Sequence, residues 1–150
     1  LAKPGGSLTG VASAAGASRE GARLALLHEA APTVARAAYL LKSQAQSPTN
    51  WGLSLVAAAT AAGGPLGVTV TPAYFDDVLD DAGIDASAHL RALLDAAKGG
   101  AQALAVAEGL DITEFAGPLG SMALALRLPA IAPWRDSRAS RASMILPNWS

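Results

Sequence analysis

The stretch Lys42-SQAQSPTNWGLSLVAAATAAGGPLGVTVTPAYF-Asp76 holds 33 consecutive residues without a formal charge, in a chain of 150. Trp51 stands near one end of it, and Tyr74 and Phe75 close the other. An uncharged run of this length has to be covered by a core, a partner or a bilayer, so its reading decides the architecture. Asn50 is placed to cap a helix over residues 51–62, which Gly63-Gly64-Pro65 would end. Leu66–Val70 is β-branched enough to be extended but has no evident mate. Thr71-Pro72 then reads as a helix start, with proline at the first helical position. As one continuous helix, Trp51–Phe75 is long enough to cross a bilayer core of about 30 Å. Against that, Gly63, Gly64 and Pro65 interrupt it and only six Leu or Val residues drive it. The expected arrangement is a buried, small-residue helix plus loop. Trp51, Leu53, Leu55, Val56, Tyr74 and Phe75 would then face a buried interface or a membrane.

Outward from this stretch the pattern is alanine on helical spacing. Alanine supplies 36 residues, while Leu, Ile, Val and Phe together supply 34. Alanine favours helix and gains little on burial, so thin, closely packed helices are expected. Ser18 is a candidate N-cap, and Leu24, Leu27, Ala31, Val34, Ala38 and Leu41 follow as one stripe. Pro32 interrupts that stripe because it lacks the N–H that would bond back to His28. Two helices, or one kinked helix, ending near Gln46 are predicted. Asp85 caps a further helix bearing Leu90, Leu93, Leu94, Ala97, Ala101 and Leu104, with Gly99-Gly100 as a bend. Ser121–Leu128 fits helix or strand equally well.

The fold class expected is therefore all-α: a small Ala-rich domain of four to five helices over residues 18–116. A flexible arm precedes it at 1–17 and an extended arm follows at 117–150.

Charge is segregated, with +3 over residues 1–42, −7 over 76–114 and +3 over 127–141. Neither basic segment is dense enough for nucleic acid, which is excluded as a partner. The chain has no cysteine, which removes disulfides, thiol catalysis and thiolate metal sites. His28 and His89 are the only histidines and read as helix-border residues, since Pro32 occupies the place a second zinc ligand after His28 would need. No phosphate-loop, dinucleotide or nucleophile-elbow motif is present.

The one sharp local pattern is Asp76-Asp77-Val78-Leu79-Asp80-Asp81. On a helix, Asp76 with Asp80 and Asp77 with Asp81 fall four apart, so each pair could converge on a hard cation. The string resembles the aspartate-rich DDxxD motif of polyprenyl diphosphate synthases. That resemblance implies Asp76, Asp77 and Asp80 as ligands of Mg²⁺ held against a diphosphate. It covers six residues, and the next cation downstream is Arg91.

In the tail, Arg135, Arg138 and Arg141 recur between serines, flanked by Trp134 and Trp149. Tryptophan is a preferred anchor in interface pockets, so these five residues are candidate contacts for a protein partner. Two arms, lopsided charge and no catalytic constellation point to a non-catalytic accessory or linker subunit of a larger assembly. Its expected setting is an organellar membrane complex, at the thylakoid or the mitochondrial inner membrane. The alternatives are a Mg²⁺-dependent enzyme acting on a diphosphate and a freestanding helical binding module.

Overall fold

A computed structural model of the chain describes residues 18–43, 52–76, 79–80, 83–84, 87–107, 116–132 and 144–145. Its elements alternate: α1 (Ser18–Ala30), β1 (Arg36–Lys42), α2 (Gly52–Gly63), β2 (Thr69–Phe75), β3 (Leu79–Asp80), β4 (Gly83–Ile84), α3 (Ser87–Lys98), β5 (Ala103–Val106), α4 (Ala116–Ala125), β6 (Ala130–Ile131) and β7 (Met144–Ile145). The five-stranded sheet runs β2-β1-β5-β6-β7, and β3 pairs with β4 in a separate two-stranded ladder. β2, β1, β5 and β6 are mutually parallel, and β7 joins antiparallel to β6. This corrects the all-α expectation. The chain is an α/β domain with helices on both faces of a mostly parallel sheet, an architecture that alternating strands and helices produce.

The reason for the correction lies in burial. A parallel sheet covered on both faces has strands that are apolar throughout, and such runs cannot be told from helix by periodicity. In β1, Ala37 to Leu41 are all buried, as are Ala103 to Val106 of β5. The stripe read as continuing from α1 to Leu41 is a helix followed by a strand. Pro32 lies in the turn between them, where Ala31 N–H bonds Leu27 O and Val34 N–H bonds Ala31 O. Likewise Gly99-Gly100 ends α3, and Leu104 belongs to β5.

Alternate residues of each strand serve opposite faces. Ala37, Tyr39 and Leu41 pack with Leu24 and Leu27 of α1 and with Leu55 and Ala59 of α2. Ala38 and Leu40 pack with Leu93 of α3 and with Leu119 and Ala123 of α4.

The uncharged stretch is divided between both layers. Residues 52–63 form α2, Gly64–Leu66 a 3₁₀ turn, and residues 69–75 the edge strand β2, so the helix expected from Pro72 is absent. Proline is tolerated there because an edge strand leaves one row of N–H groups outside the ladder. Leu55 and Phe75 are buried, Val56 and Tyr74 half-buried, and Leu53 exposed, while Trp51 lies outside the described residues. Most of the apolar side chains expected to face a membrane or a partner therefore build this domain's own core. Among the described residues no helix is long and apolar enough to cross a membrane.

The turn from α2 to β2 depends on two glycines. A Cβ on Gly63 would meet the Val68 carbonyl oxygen at 2.3 Å. Gly67 takes φ +69, a conformation glycine adopts without penalty, and its N–H bonds Gly64 O at 3.0 Å. The extended arm expected from residue 117 gives way to α4 and then β6, whose Pro129 carbonyl accepts from Leu104 N–H at 2.9 Å.

Candidate functional site at the carboxyl edge of the sheet

The strand order carries a reversal. From β1 the chain returns through α2 to β2 on one side, then crosses through α3 to β5 on the other side of β1. The helix after β1 packs on one face and α4, the helix after β5, on the opposite face. Connections leaving two adjacent parallel strands in opposite directions open a crevice at their carboxyl ends. Open α/β sheets bind ligands at such a switch point.

Lys42 and Ser43, both half-buried, stand at the end of β1. At the end of β5, Ala107 donates its N–H to Leu40 O at 2.9 Å, which holds the two strand ends together. The connections 44–51 and 108–115 that follow these ends lie outside the described residues. α2, α3 and α4 each follow a strand and so begin at this edge, directing the positive ends of their dipoles toward it.

α1 packs beside α2 on one face of the sheet, its first turns close to the last turn of α2, where a Cβ on Gly21 would meet Ala62 at 3.5 Å. Those turns bury charge. Glu20 is 1% exposed and forms an ion pair with Arg23, whose side chain is 13% exposed. Tyr39, wholly buried in the middle of β1, lies against this pair without a hydrogen bond of good geometry. Burial first, and then the Glu20 carboxylate, push the Tyr39 phenol well above its ordinary range. A buried ion pair is costly to leave half-made and is weak as a stabilising device.

Of the other candidates, Asp76 is exposed just after β2, and Asp80 lies in β3, paired with Gly83. The helix that would have aimed Asp76 and Asp80 at one Mg²⁺ is absent, because Leu79–Asp80 is extended. Asp77 lies outside the described residues, and no group of three His, Asp or Glu able to hold a metal occurs among those described. Trp134, Arg135, Arg138, Arg141 and Trp149 also lie outside them. His89 is a core residue rather than a border one: it is 1% exposed and stacks on Phe75 at 4.1 Å between ring centroids.

Sequence reasoning passed over Glu20, Arg23, Tyr39, Lys42 and Ser43. A signal was present in Glu20 and Arg23, one turn apart at the head of an apolar stripe, and in Lys42 closing the run Ala37–Leu41. Two cavities lined by described residues lie elsewhere. One of about 300 Å³ sits between β1, β2 and α3, and one of about 580 Å³ opens at the amino edge of the sheet.

The chain is thus a doubly wound α/β domain with its switch point between β1 and β5. No family model matches the sequence, and no curated protein matches it. Among solved structures, the chain resembles an ABC transporter substrate-binding protein from Desulfitobacterium hafniense, with a TM-score of 0.47 and 17% identity. The match covers 76% of this chain and 31% of that one.

Proposed function

We propose that this chain is a binding module that holds a small molecule bearing an anionic group at the carboxyl ends of β1 and β5, without transforming it. The observation that carries this reading is the switch point between those strands. Lys42 and Ser43 stand on its rim. Three helix N-termini and a lysine favour negative charge at that edge.

The test is thermal unfolding of the chain against a panel of amino acids, dicarboxylates and small phosphate esters. A ligand present at 100 times its Kd adds about 2.7 kcal/mol of stability. Lys42→Ala is expected to weaken the responding ligand at least tenfold while leaving the unliganded Tm within about 2 °C. A panel with no stabilising member, or a Lys42→Ala variant that responds like the parent, overturns the proposal. The accessory-subunit reading rests on residues 1–17 and on Trp134, Arg135, Arg138, Arg141 and Trp149, which lie outside the described residues. Native purification followed by size and mass analysis tests it separately.

A further inference from the structure

The amino edge of the sheet, the far end from the crevice, holds the cavity of about 580 Å³. Three connections line it: Ala30–Val34 between α1 and β1, Ala101-Gln102 before β5, and Arg127–Pro129 between α4 and β6. The walls are mostly apolar, with Ala31, Pro32, Val34 and Leu128 prominent, and no carboxylate is among the lining residues. The polar groups are all donors or can act as donors: the Arg127 guanidinium, the Gln102 amide and the Thr33 hydroxyl.

Two of these groups are positioned by the fold. The Gln102 Oε1 accepts the N–H groups of Ala35 at 2.8 Å and Arg36 at 3.1 Å. That clamp fixes the amide plane and leaves its NH₂ group as the end directed away from the backbone. Arg127 takes φ +54, left-handed backbone that L-residues avoid. It occupies the residue after the helix cap, with Leu128 N–H bonded to Ala123 O at 2.8 Å and Arg127 N–H to Leu124 O at 3.0 Å. This is a Schellman ending, where glycine is the usual occupant. A strained arginine therefore stands where glycine would close the helix at no conformational penalty, and it lines a cavity. Strain of this kind is characteristic of functional positions.

The competing role for Arg127 is neutralising the negative end of α4. The Ala123 and Leu124 carbonyls are already bonded by backbone N–H groups, as are Leu27 O in α1 and the Asp95, Ala96 and Ala97 carbonyls in α3. Among the described residues, neither the Arg127 guanidinium nor the Thr33 hydroxyl makes a hydrogen bond or ion pair to protein, and the Gln102 NH₂ likewise has none. We infer that this cavity is a second ligand site, taking a small molecule that presents an oxyanion to Arg127, Gln102 and Thr33 and an apolar body to Pro32, Val34 and Leu128. It is independent of the carboxyl-edge crevice, about 20 Å away along a seven-residue strand.

The experiment is a ¹H–¹⁵N titration of the full chain with inorganic phosphate and, separately, with benzoate, following the Gln102 side-chain NH₂ and the Arg127 Nε–H. Saturable shifts at these groups with either probe support the site. A response to phosphate alone assigns it to an oxyanion, and a stronger response to benzoate adds the apolar wall. Arg127→Gly should remain folded with Tm raised by about 2–4 °C, because the strain is released, and should weaken the probe at least tenfold. Shifts centred on Lys42 and Ser43 overturn the inference, as does an absence of saturable shifts. An Arg127→Gly chain that binds like the parent overturns it too, and if its Tm also falls, Arg127 belongs to the helix end alone.

Discussion

On one face of the sheet, α1 lays an ion pair, Glu20 with Arg23, over the buried Tyr39. On the other face, α3 and α4 set Leu93, Leu119 and Ala123 against Leu40, Leu104 and Val106. The strands are the same, and only the alternation of their side chains separates the two environments. The α3/α4 face can be described by apolar area and shape. The α1/α2 face also contains charges whose partners must be present, so its energetics depend on keeping a pair intact. Among the described residues this ion pair has no counterpart in the apolar cluster on the opposite face.

The comparison is broken most sharply by removing one partner of the pair. Arg23→Ala strands the Glu20 carboxylate, whose side chain is 2% exposed, and should lower stability by about 3–5 kcal/mol. Leu93→Ala on the other face should cost about 2–4 kcal/mol through its cavity. Urea unfolding of both variants in low and high salt checks the difference. The Arg23→Ala loss should change little with salt, since buried charges are weakly screened. A loss below about 1 kcal/mol would mean that the pair is solvated and the two faces are alike.

Glycines give the next contrast. Gly63→Ala forces a Cβ onto the Val68 carbonyl on the α1/α2 face and should cost about 2–3 kcal/mol. Gly117→Ala in α4 meets nothing within 4 Å and should be neutral or stabilise by up to about 1 kcal/mol. Parallel thermal melts decide it, with Tm displacements of opposite sign or clearly unequal size.

The smallest effect concerns Tyr39. Its phenol is held protonated by burial and by Glu20, so its pKa in the folded state lies above the unfolded value of about 10. Stability from this group is complete below about pH 10 and is lost as pH rises further, because the unfolded chain ionises first. Tyr39→Phe should change neutral-pH stability by less than about 1 kcal/mol, since the hydroxyl lacks a well-formed bond. The variant should also show a shallower fall in Tm between about pH 9 and 11. Identical pH profiles would place the phenol in contact with solvent.

Much of the helical layer was legible. Ser18 opens α1 and the pair Gly63-Gly64 closes α2, whereas Gly99-Gly100, read as a bend in a helix running on to Leu104, ends α3. The strands were not legible. RAAYLLK and ALAV are apolar at every central position, so they continued the helical stripes beside them. TVTPAYF was half-seen as extended and then lost to its proline. The site followed the same division. Aspartates four apart in sequence drew attention as a helical pair, whereas Lys42 and the Glu20–Arg23 cluster acquire meaning only once β1 is a strand.

By itself the sequence determined the start of α1, the span of α2 and the exclusion of thiol chemistry, because capping signals and composition are local properties. Only the tertiary structure decided that Arg36 pairs with Thr69 and Ala37 with Ala103, and that the connections diverge at the carboxyl edge. Parallel strands take their hydrogen bonds from partners far along the chain, so neither their pairing nor the crevice between them is written in any short run of residues.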